Sequence, residues 1–517
     1  MTPSDANRDL RRAWAYHDAT KHSEWSVGSN RHFLDWAIQP LPLKIYTTLD
    51  PIPLPRDADQ TGISALSAIA ATDIPGDGER IPTLADLARI LYLSAGITRK
   101  RTYSGGEIYF RAASCTGALY EFELYLVCGD LPDLKAGVYH FGPGDFAMRL
   151  LRSGDYRGAL SNATAEENSV LHAPVSIICA GTFWRNSWKY EARTYRHFGW
   201  DNGTILANML AITAALQLPR RIVLGFVDHE VNELLGLDAK REVAFSILSI
   251  GRVQSTAGHP PKMPALVLPT IPLSQREVVY PEINAIHAAS SLESAEEVFQ
   301  WRQRIRGTDT KSPDNAAPVL QKYGVCPQNS LSNDPIEQVI LRRGSTRKFT
   351  REPITREELC TILDASIRPI WPDFPLLNDV YLIVNAVEGM TPGAYFYDRK
   401  HGTLDCLREG ELRGEARHLA LQQSLAGDAA VDFFFLANLN LILERFGNRG
   451  YRAVQLEAGI LGGKVYLAAY ALRLSATGLT FFDDDVTEFF SPHAKDTSAI
   501  FLVAVGKSSR FGSSLAR

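Results

Sequence analysis

The sequence lacks several features that would place it in other protein classes. It has no run of about 18 uninterrupted apolar residues, so no membrane-spanning helix is predicted. The first 25 residues contain no apolar core, which argues against a secretory signal. None of the six cysteines forms a C-x-x-C pair, and no G-x-G-x-x-G follows a predicted strand. We therefore expect reduced thiols, a cytoplasmic location, and neither a zinc knuckle nor a Rossmann nicotinamide domain.

The sequence also lacks a strong excess of either charge. Its 54 basic and 58 acidic residues give a net charge of -4, with both signs interspersed. This balance predicts no nucleic-acid partner and no membrane-surface patch. The 517 residues are 45% apolar and 22% charged, which is typical of a folded chain with two or more domains.

One sequence pattern occurs twice, at a spacing of 256 residues. Tyr195 recurs as Tyr451, and Gly203 recurs as Gly459. The same spacing joins ELYLV to DVYLI and GVYHF to GAYFY. A period this long indicates a duplicated domain rather than a solenoid. Duplicated domains commonly pack about a local two-fold axis, so we expect an intrachain pseudo-dimer.

The repeat divides the chain into four predicted parts. They are a lead-in at 1–80, a first domain at 81–252, a connector at 253–334 and a second domain at 335–517. The lead-in segment HFLDWAIQPLPLKIY is too apolar for a disordered tail, so we expect it to pack on the body. The proline-rich connector ends in a predicted helix, where Ser290 and Glu293 have capping-box spacing.

Within each half the pattern predicts an α+β fold. TLADLARILYLSAG and TREELCTILDAS have helical spacing after the predicted caps Thr83 and Thr355. ELYLVCG, PVSIICAG and VDFFFLAN are predicted to be buried strands. DNGTILANMLAITAALQL and EAGILGGKVYLAAYALRL are apolar nearly all round, which predicts buried helices. Gly459, Gly462 and Gly463 would let the second of these helices approach another helix closely.

The second half opens with a basic motif, LRRGSTRKFTREPITREEL, which contains Arg343, Ser345 and Arg347. Arginine forks and a hydroxyl suit a phosphate, although the spacing alone fits a solvated basic turn equally well. With the PITREEL that follows, the motif resembles the entry motif of the nitroreductase-like flavoproteins. The resemblance implies that these three residues hold the phosphate of FMN. It also implies a role for Lys507 and Arg510 after the last strand, for which an exposed tail is the alternative.

In the first half, RAASCTGALYEFELYLV resembles the P-S-A-G-A-L-Y-P-x-E-x-Y segment of the SagB/ThcOx-type dehydrogenases within that family. Those enzymes oxidise azoline rings in ribosomal peptides. The resemblance implies that the loop containing Cys115 and Gly117 contacts flavin. Cys115 stands where the family has serine, and Glu121 stands where it has the second proline. We expect Cys115 to be a small loop residue rather than a nucleophile, because no base is visibly placed for it.

The segment WKYEARTYRHFGWDNG resembles the W-K-Y-x-x-R-x-Y-R segment of the same branch. The resemblance implies that Lys189 and Tyr190 are catalytic. Azoline oxidation removes a proton and a hydride from adjacent atoms, so a base is needed beside the flavin, and either residue could serve. The alternative is an interfacial tyrosine beside a surface lysine. The second half has Arg445 and Phe446 in these two positions.

The resemblance also implies how the two halves divide the work. In this family FMN lies at a dimer interface, with the phosphate motif from one subunit and the loop from the other. One composite site therefore takes its phosphate motif from the second half and its loop and catalytic pair from the first. The other composite site lacks these parts, so we expect one flavin per chain. Backbone N–H groups of Thr480 and Phe481 are expected near flavin N5, with Leu224 and Gly225 as their counterparts in the first half.

We therefore expect an FMN-dependent oxidoreductase that performs a two-electron oxidation of a peptide-like or natural-product substrate, such as azoline to azole. The alternatives are an NAD(P)H-dependent nitro or quinone reductase and a non-catalytic scaffold of a biosynthetic complex. The expected partners are a small-molecule or peptide substrate and other enzymes of a biosynthetic cluster. The internal pseudo-dimer could act as a monomer or as a homo-oligomer. No metal is expected, because His17 and His22 are five residues apart and do not share a helix face.

Overall fold

The computed structural model describes residues 3–56, 60–72, 76, 78–103, 106–304, 319–327, 331–370 and 372–509. Arg510 lies outside these residues. Two seven-stranded antiparallel sheets and the helices packed on them form the body, so the expected α+β class is confirmed. No helix in the described ranges is long and apolar enough to cross a membrane.

The strands of the first half form one large sheet and one hairpin. In chain order they are β1 (Ile52–Pro53), β2 (Ile97–Tyr103), β3 (Gly106–Arg111), β4 (Phe122–Cys128), β5 (Gly137–Gly142), β6 (Ala147–Ser153), β7 (Val175–Thr182), β8 (Arg220–Val223) and β9 (Glu242–Ile250). The large sheet has the order β1-β6-β5-β4-β7-β9-β8, and β2 pairs with β3.

The second half builds a sheet of the same design. Its strands are β10 (Gln321–Gly324), β11 (Asp379–Val384), β12 (Gly393–Asp398), β13 (Thr403–Glu409), β14 (Val431–Ala437), β15 (Ser475–Leu479) and β16 (Ser498–Gly506). Their order, β10-β13-β12-β11-β14-β16-β15, matches the first sheet strand for strand. The three strands predicted as buried are β4, β7 and β14, and every residue in them is buried.

Eighteen α-helices complete the described fold. They are α1 (Arg11–Ala19), α2 (Glu24–Ser29), α3 (Ala65–Ala70), α4 (Leu84–Ala95), α5 (Arg157–Ala163), α6 (Asn168–Leu171), α7 (Phe183–Tyr190), α8 (Thr194–Ala215), α9 (Asp228–Leu235), α10 (Pro281–Ser290), α11 (Ala295–Gln303), α12 (Ile336–Arg342), α13 (Arg356–Ser366), α14 (Arg413–Leu419), α15 (Ser424–Asp428), α16 (Leu439–Phe446), α17 (Arg449–Ala471) and α18 (Asp483–Phe490). Thr83 and Thr355 cap α4 and α13, as predicted, and each cap is part of a complete capping box. The cap of α11 is Ser294, because Ser290 is instead the last residue of α10.

The two long helices α8 and α17 cross at the centre of the molecule, where glycine is required. A Cβ atom on Gly203 would lie 2.4 Å from the carbonyl carbon of Gly459. A Cβ atom on Gly463 would lie 2.7 Å from Ala207 of the other helix. Gly462 serves a different contact, because its added Cβ would meet the ring of Phe501 in β16. The helix backbones therefore touch, and the two halves share one core.

Buried ion pairs join the halves on one side of this crossing. Asp483, at the start of α18, accepts hydrogen bonds from Arg193 at 3.1 Å and from Arg196 at 2.5 Å. All three side chains are at most 5% exposed. Burial alone would raise the pKa of Asp483, but the two guanidinium groups hold it well below its usual range. The arginines of the W-K-Y-x-x-R-x-Y-R segment therefore tie the first half to the second.

The equivalent pairs run in the opposite direction on the other side. Asp228, at the start of α9, lies 2.8 Å from both Arg449 and Arg452 of α17. Burial raises the pKa of Asp228, but the two arginines outweigh it and bring the value down to about 2. Arg452 also donates to the hydroxyl of Tyr195, at 3.2 Å. The repeated Tyr-Arg pair thus supplies contacts between the halves in both copies.

Residues of the lead-in and the connector contact both halves. The hydroxyl of Tyr16 in α1 donates to the carbonyl of Ala192, at 2.6 Å. Nδ1 of His17 lies 3.2 Å from the hydroxyl of Tyr451. Trp301 of α11 donates to the carbonyl of Phe446, at 3.1 Å. These segments cover the junction between the two long helices.

We predict that Asp228→Ala lowers the free energy of unfolding by about 3–5 kcal/mol, because it leaves Arg449 and Arg452 buried without a counter-ion. Urea unfolding at neutral pH measures this. The matched control is Asp428→Ala, which removes a solvent-exposed pair with Arg351 and should cost at most about 1 kcal/mol. Equal losses in the two variants would contradict a special role for the buried cluster.

The stability difference between the wild-type protein and Asp228→Ala should also depend on pH. The pKa of folded Asp228 is about 2, below the value of about 3.9 expected in the unfolded chain. A depressed carboxyl pKa adds stability that is complete above about pH 4 and is lost as the pH falls toward about 2. The stability difference between the wild-type protein and Asp228→Ala should therefore narrow over this window. A difference that stays constant down to pH 2 would contradict this linkage.

Candidate active site

The basic motif of the second half is fastened to the first half. Arg343 follows α12, and its Nε donates to the carbonyl of Ala112, at 2.8 Å. Its Nη2 donates to the carbonyl of Arg111, at 3.3 Å. These carbonyls precede the loop that contains Cys115 and Gly117. Among the described residues, no carboxylate pairs with Arg343, so its charge is available to a ligand.

Ser345 and Arg347 lie at the open side of this junction. The Ser345 hydroxyl is 3.3 Å from the hydroxyl of Tyr466, which also accepts a hydrogen bond from the N–H of Gly478. Both Ser345 and Arg347 are exposed. No acidic side chain in the described part of the chain forms an ion pair with Arg347. Cations without a carboxylate partner beside an exposed hydroxyl form a suitable environment for a phosphate.

The predicted catalytic pair faces this motif from the first half. Lys189 and Tyr190 are the last two residues of α7, and the lysine Nζ lies 5.3 Å from the centre of the tyrosine ring. Burial lowers the pKa of Lys189, and the charge of Arg347 lowers it further. A lysine with a lowered pKa can act as a base near neutral pH. The structure therefore brings residues of both halves together at one place.

Tyr190 has the opposite electrostatic environment. Burial raises its pKa well above the usual value, and the neighbouring Asp201 and Cys115 add to the rise, although Arg347 opposes it. Its ring packs edge-on against His197, with 4.7 Å between ring centres. Tyr190 therefore stays protonated at neutral pH and can donate a hydrogen bond or a proton. Of the two candidates for the base, these environments favour Lys189.

Gly117 allows its loop to touch Tyr190. Its φ is +62°, and a Cβ atom would lie 2.8 Å from the tyrosine hydroxyl. Cys115 points elsewhere, with its Sγ 3.2 Å from Glu121 and 3.4 Å from Asp201. Burial raises the pKa of the thiol, which agrees with the expectation that Cys115 is not a nucleophile. Because the side chain of Cys115 contacts these two carboxyl groups, only the backbone of Cys115 could make the expected contact with flavin.

The segment that contains Thr480 and Phe481 differs from its counterpart in the first half. Asp228 and Asp483 begin equivalent helices. Four residues separate the end of β8 from Asp228, whereas three separate the end of β15 from Asp483, so Leu224 and Gly225 together stand opposite Thr480. Thr480 Oγ1 is buried without a hydrogen-bond partner, and no residue in the described ranges accepts from its N–H. Phe481 is buried against Trp200, with 6.1 Å between ring centres.

In the first half the equivalent position is filled by protein. Asp373 accepts hydrogen bonds from the N–H groups of Leu224 and Gly225, both at 2.7 Å. Burial raises the pKa of Asp373 to about 6, although the two N–H groups act against the rise. A Cβ atom on Gly225 would lie 3.2 Å from Trp301 and 3.4 Å from Arg302 of α11. The sequence offered Asp373 only as part of WPDFPLLND, without a signal that it would close this position.

The second-half counterparts of the catalytic pair have structural contacts. Nε of Arg445 donates to the carbonyl of Arg304, at 2.8 Å. Phe446 is buried, and its carbonyl holds Trp301. Both contacts fasten the connector helix α11 over the filled position.

The expected contribution of the last strand is only partly described. The carbonyl of Lys507 accepts a hydrogen bond from the N–H of Thr350, at 3.0 Å. Burial raises the pKa of Glu358, and the nearby ammonium group of Lys507 opposes that rise. Lys507 therefore lies beside α13, and no hydrogen bond or ion pair within the described ranges joins it to Arg347. Arg510, the other residue expected here, is outside those ranges.

Taken together, these residues fit a flavin phosphate and the edge of its ring. The phosphate side has Arg343, Ser345 and Arg347, and the ring side has an unpartnered buried hydroxyl on Thr480. Tyr190 lies next to the loop of the first half, against Gly117, and Lys189 lies close enough to Arg347 to sense its charge. The chemistry available here is proton transfer beside a bound cofactor.

Comparison with known proteins agrees with this fold. Residues 340–507 match the model of the Nitroreductase family. Over 165 residues, 30% of the chain, the sequence is 27% identical to the "Putative nitroreductase MJ1384" of Methanocaldococcus jannaschii, and the match covers 82% of that protein. The crystal structure of a "putative nitroreductase" from Anabaena variabilis ATCC 29413 is 26% identical, with a TM-score of 0.77. That match covers 96% of this chain and 99% of the other, so both halves have a nitroreductase-like counterpart.

We predict that Arg347→Ala weakens FMN binding by about 10–100-fold without unfolding the protein. One charge-assisted hydrogen bond to phosphate is worth about 1.5–3 kcal/mol, and each 1.4 kcal/mol is tenfold in Kd. Fluorescence titration of the apoprotein with FMN measures the change. The control is Arg351→Ala, an exposed arginine four residues away that pairs with Asp428. Equal affinity in Arg347→Ala and the control would show that Arg347 is only a surface charge.

Proposed function

We propose that this chain is an FMN-dependent oxidoreductase, built from two fused nitroreductase-like domains that form an intrachain pseudo-dimer. The identical strand order of the two sheets supports the duplication. The contact of Gly203 with Gly459 supports a pseudo-two-fold axis through the helix crossing, because the two glycines occupy equivalent positions. The two domains of this proposal are the predicted 81–252 and 335–517, and each sheet takes one further edge strand from outside these bounds, β1 from the lead-in and β10 from the connector.

One observation carries the proposal, namely the difference between the two equivalent positions. At one, Thr480 has an unpartnered buried hydroxyl, and Arg343 and Lys189 come from opposite halves. At the other, Asp373 occupies the N–H groups of Leu224 and Gly225. A flavin at the second position would have to displace a buried carboxylate and α11. We therefore infer one FMN per chain, held by Arg343, Ser345, Arg347 and the loop at Gly117.

The residues of this site suit a dehydrogenation. Bound FMN would supply the two-electron acceptor. Lys189, with its lowered pKa, would take the proton from the substrate atom next to the one that loses hydride. Tyr190, which stays protonated, would donate a hydrogen bond to the substrate, and its hydroxyl packs against Gly117. Arg347 would contribute twice, since it would bind the phosphate and its charge lowers the pKa of Lys189.

The proposed substrate is a peptide-like or natural-product heterocycle, with azoline-to-azole oxidation as the model reaction. The support is the SagB/ThcOx-type loop and the Lys189–Tyr190 pair. The second candidate is an NAD(P)H-dependent nitro or quinone reductase, which the names of the similar proteins favour. Other enzymes of a biosynthetic cluster and a cytoplasmic location remain part of the proposal. A non-catalytic scaffold is the remaining alternative, and flavin content tests it directly.

We predict that the purified protein releases one FMN per chain on denaturation. Flavin absorbance measured against protein concentration gives the ratio. A ratio near two would contradict the closure by Asp373, and a protein that binds no added FMN would favour the scaffold. Bleaching of the flavin by NAD(P)H without another substrate would favour the reductase over the dehydrogenase.

We also predict that Tyr190→Phe lowers turnover by about 100-fold or more with FMN content unchanged, because it removes only the donor hydroxyl. If Lys189 is the base, the kcat of the wild-type protein should rise with pH as the lysine loses its proton. The Lys189→Ala variant should lack this rise. The control is Phe446→Tyr, the mirror change in the other half, which should have full activity. Full activity in Tyr190→Phe together with no activity in Arg445→Ala would show that the catalytic residues lie in the second half and not in the first.

A further inference from the structure

Three ligand-type side chains meet behind the loop that carries Gly117. They are Cys115, Glu121 and Asp201, and their ligand atoms all lie within 4.8 Å of one another. Glu121 and Asp201 are at most 4% exposed. Two of the three, Cys115 and Glu121, are among the positions where the sequence departs from the P-S-A-G-A-L-Y-P pattern. The departures therefore meet in space, although five residues separate them in the chain.

The spacing of the three groups fits tetrahedral coordination. The Sγ of Cys115 lies 3.2 Å from Oε2 of Glu121 and 3.4 Å from Oδ2 of Asp201. Zinc bonds of about 2.3 Å to sulfur and about 2.0 Å to oxygen give a tetrahedral edge of about 3.5 Å. The other oxygen of Asp201 is held by the N–H and the hydroxyl of Thr116, at 2.8 and 2.9 Å. Such a contact orients a ligand from outside the coordination sphere.

Two buried polar groups beside these three side chains lack hydrogen-bond partners, which is an independent observation. The hydroxyl of Ser94 is fully buried and has no hydrogen-bond partner among the described residues. Oε1 of Glu121 is also buried and unpartnered within them. Ser94, Cys115, Glu121 and Asp201 line one cavity of about 10 Å³. That volume is at the lower limit for a water molecule and suits a smaller ion whose ligands form the walls.

The charge nearby is also suitable. Arg111 lines the same cavity, is 5% exposed, and donates to the carbonyls of Phe122 and Pro42. Three anionic ligands, one divalent cation and this guanidinium sum to no net charge. A neutral cluster avoids the large cost of an unpaired buried charge.

We propose that Cys115, Glu121 and Asp201 bind one divalent cation of borderline softness, with Zn²⁺ as the best fit for a thiolate with two carboxylates. The unpartnered hydroxyl of Ser94, which lines the same cavity, is the proposed fourth ligand. Metal ligation needs the thiolate, so binding displaces the proton of the Cys115 thiol, whose pKa is raised by burial. The ion would fix the loop whose Gly117 packs on Tyr190. The ion would use the side chain of Cys115, whereas the proposed flavin contact uses only the backbone of this loop.

The test measures metal and flavin on the same sample of the full-length protein. The protein is incubated with Zn²⁺, desalted and analysed by mass spectrometry for zinc, and FMN is measured after denaturation. We expect one zinc per chain. In Cys115→Ala and Asp201→Asn, zinc affinity should fall at least about 10-fold. The matched controls, Cys179→Ala and Asp432→Asn, change a buried cysteine and a buried aspartate elsewhere and should keep the metal.

Cobalt gives a second readout that needs no variant. Co²⁺ bound to the wild-type protein should show a thiolate charge-transfer band in the near ultraviolet, so the proposal stays testable if Cys115→Ala does not fold. No zinc retained, no cobalt band, or equal zinc in Cys115→Ala and Cys179→Ala would each overturn the proposal. The cluster would then hold protons or a water molecule. A protein with FMN but no zinc overturns the metal site alone, and one with zinc but no FMN overturns only the flavin proposal.

Discussion

A buried carboxylate in each half binds two arginines of the other half, and the rest of the structure depends on this exchange. Asp483 and Asp228 begin equivalent helices, and the arginines that meet them come from α8 and α17. Buried charges are costly unless all partners are present, so neither half can keep its arginines satisfied alone. Together with the contact of Gly203 and Gly459, these pairs fix the distance and angle between the halves. Any site built from both halves inherits that geometry.

This constraint gives the two halves equivalent positions about the helix crossing, although the two junctions between them differ. Because the helix crossing places both junctions in the same way, changes in a few residues decide which junction stays open. Asp373 and the connector helix α11 close one of them, and Arg445 and Phe446 hold that helix in place. At the other junction, Thr480 keeps an unpartnered hydroxyl. The connector thus does more than join the halves, since it covers one of the two positions.

The properties of the proposed catalytic pair come from where it lies. Lys189 and Tyr190 are neighbours on one helix, yet burial shifts their pKa values in the directions that keep each neutral. Arg347 of the other half strengthens the effect on the lysine and weakens it on the tyrosine. An amine with a lowered pKa beside a protonated phenol is a suitable arrangement for one base and one donor. The pair therefore depends on the junction for its chemistry as well as for its position.

The features that depend on local pattern could be predicted from the amino-acid sequence. These include the helix caps Thr83 and Thr355, the buried strands, the two apolar helices and the repeat that relates the halves. The contacts between groups that are distant in the chain could be found only in the folded structure. The carboxylate of Asp373 accepts a hydrogen bond from Gly225 of the other half, and Asp201 lies beside Cys115. No sequence pattern predicts either contact. Local propensity acts over a few residues, whereas these contacts form only after two sheets and two crossing helices have been brought into place.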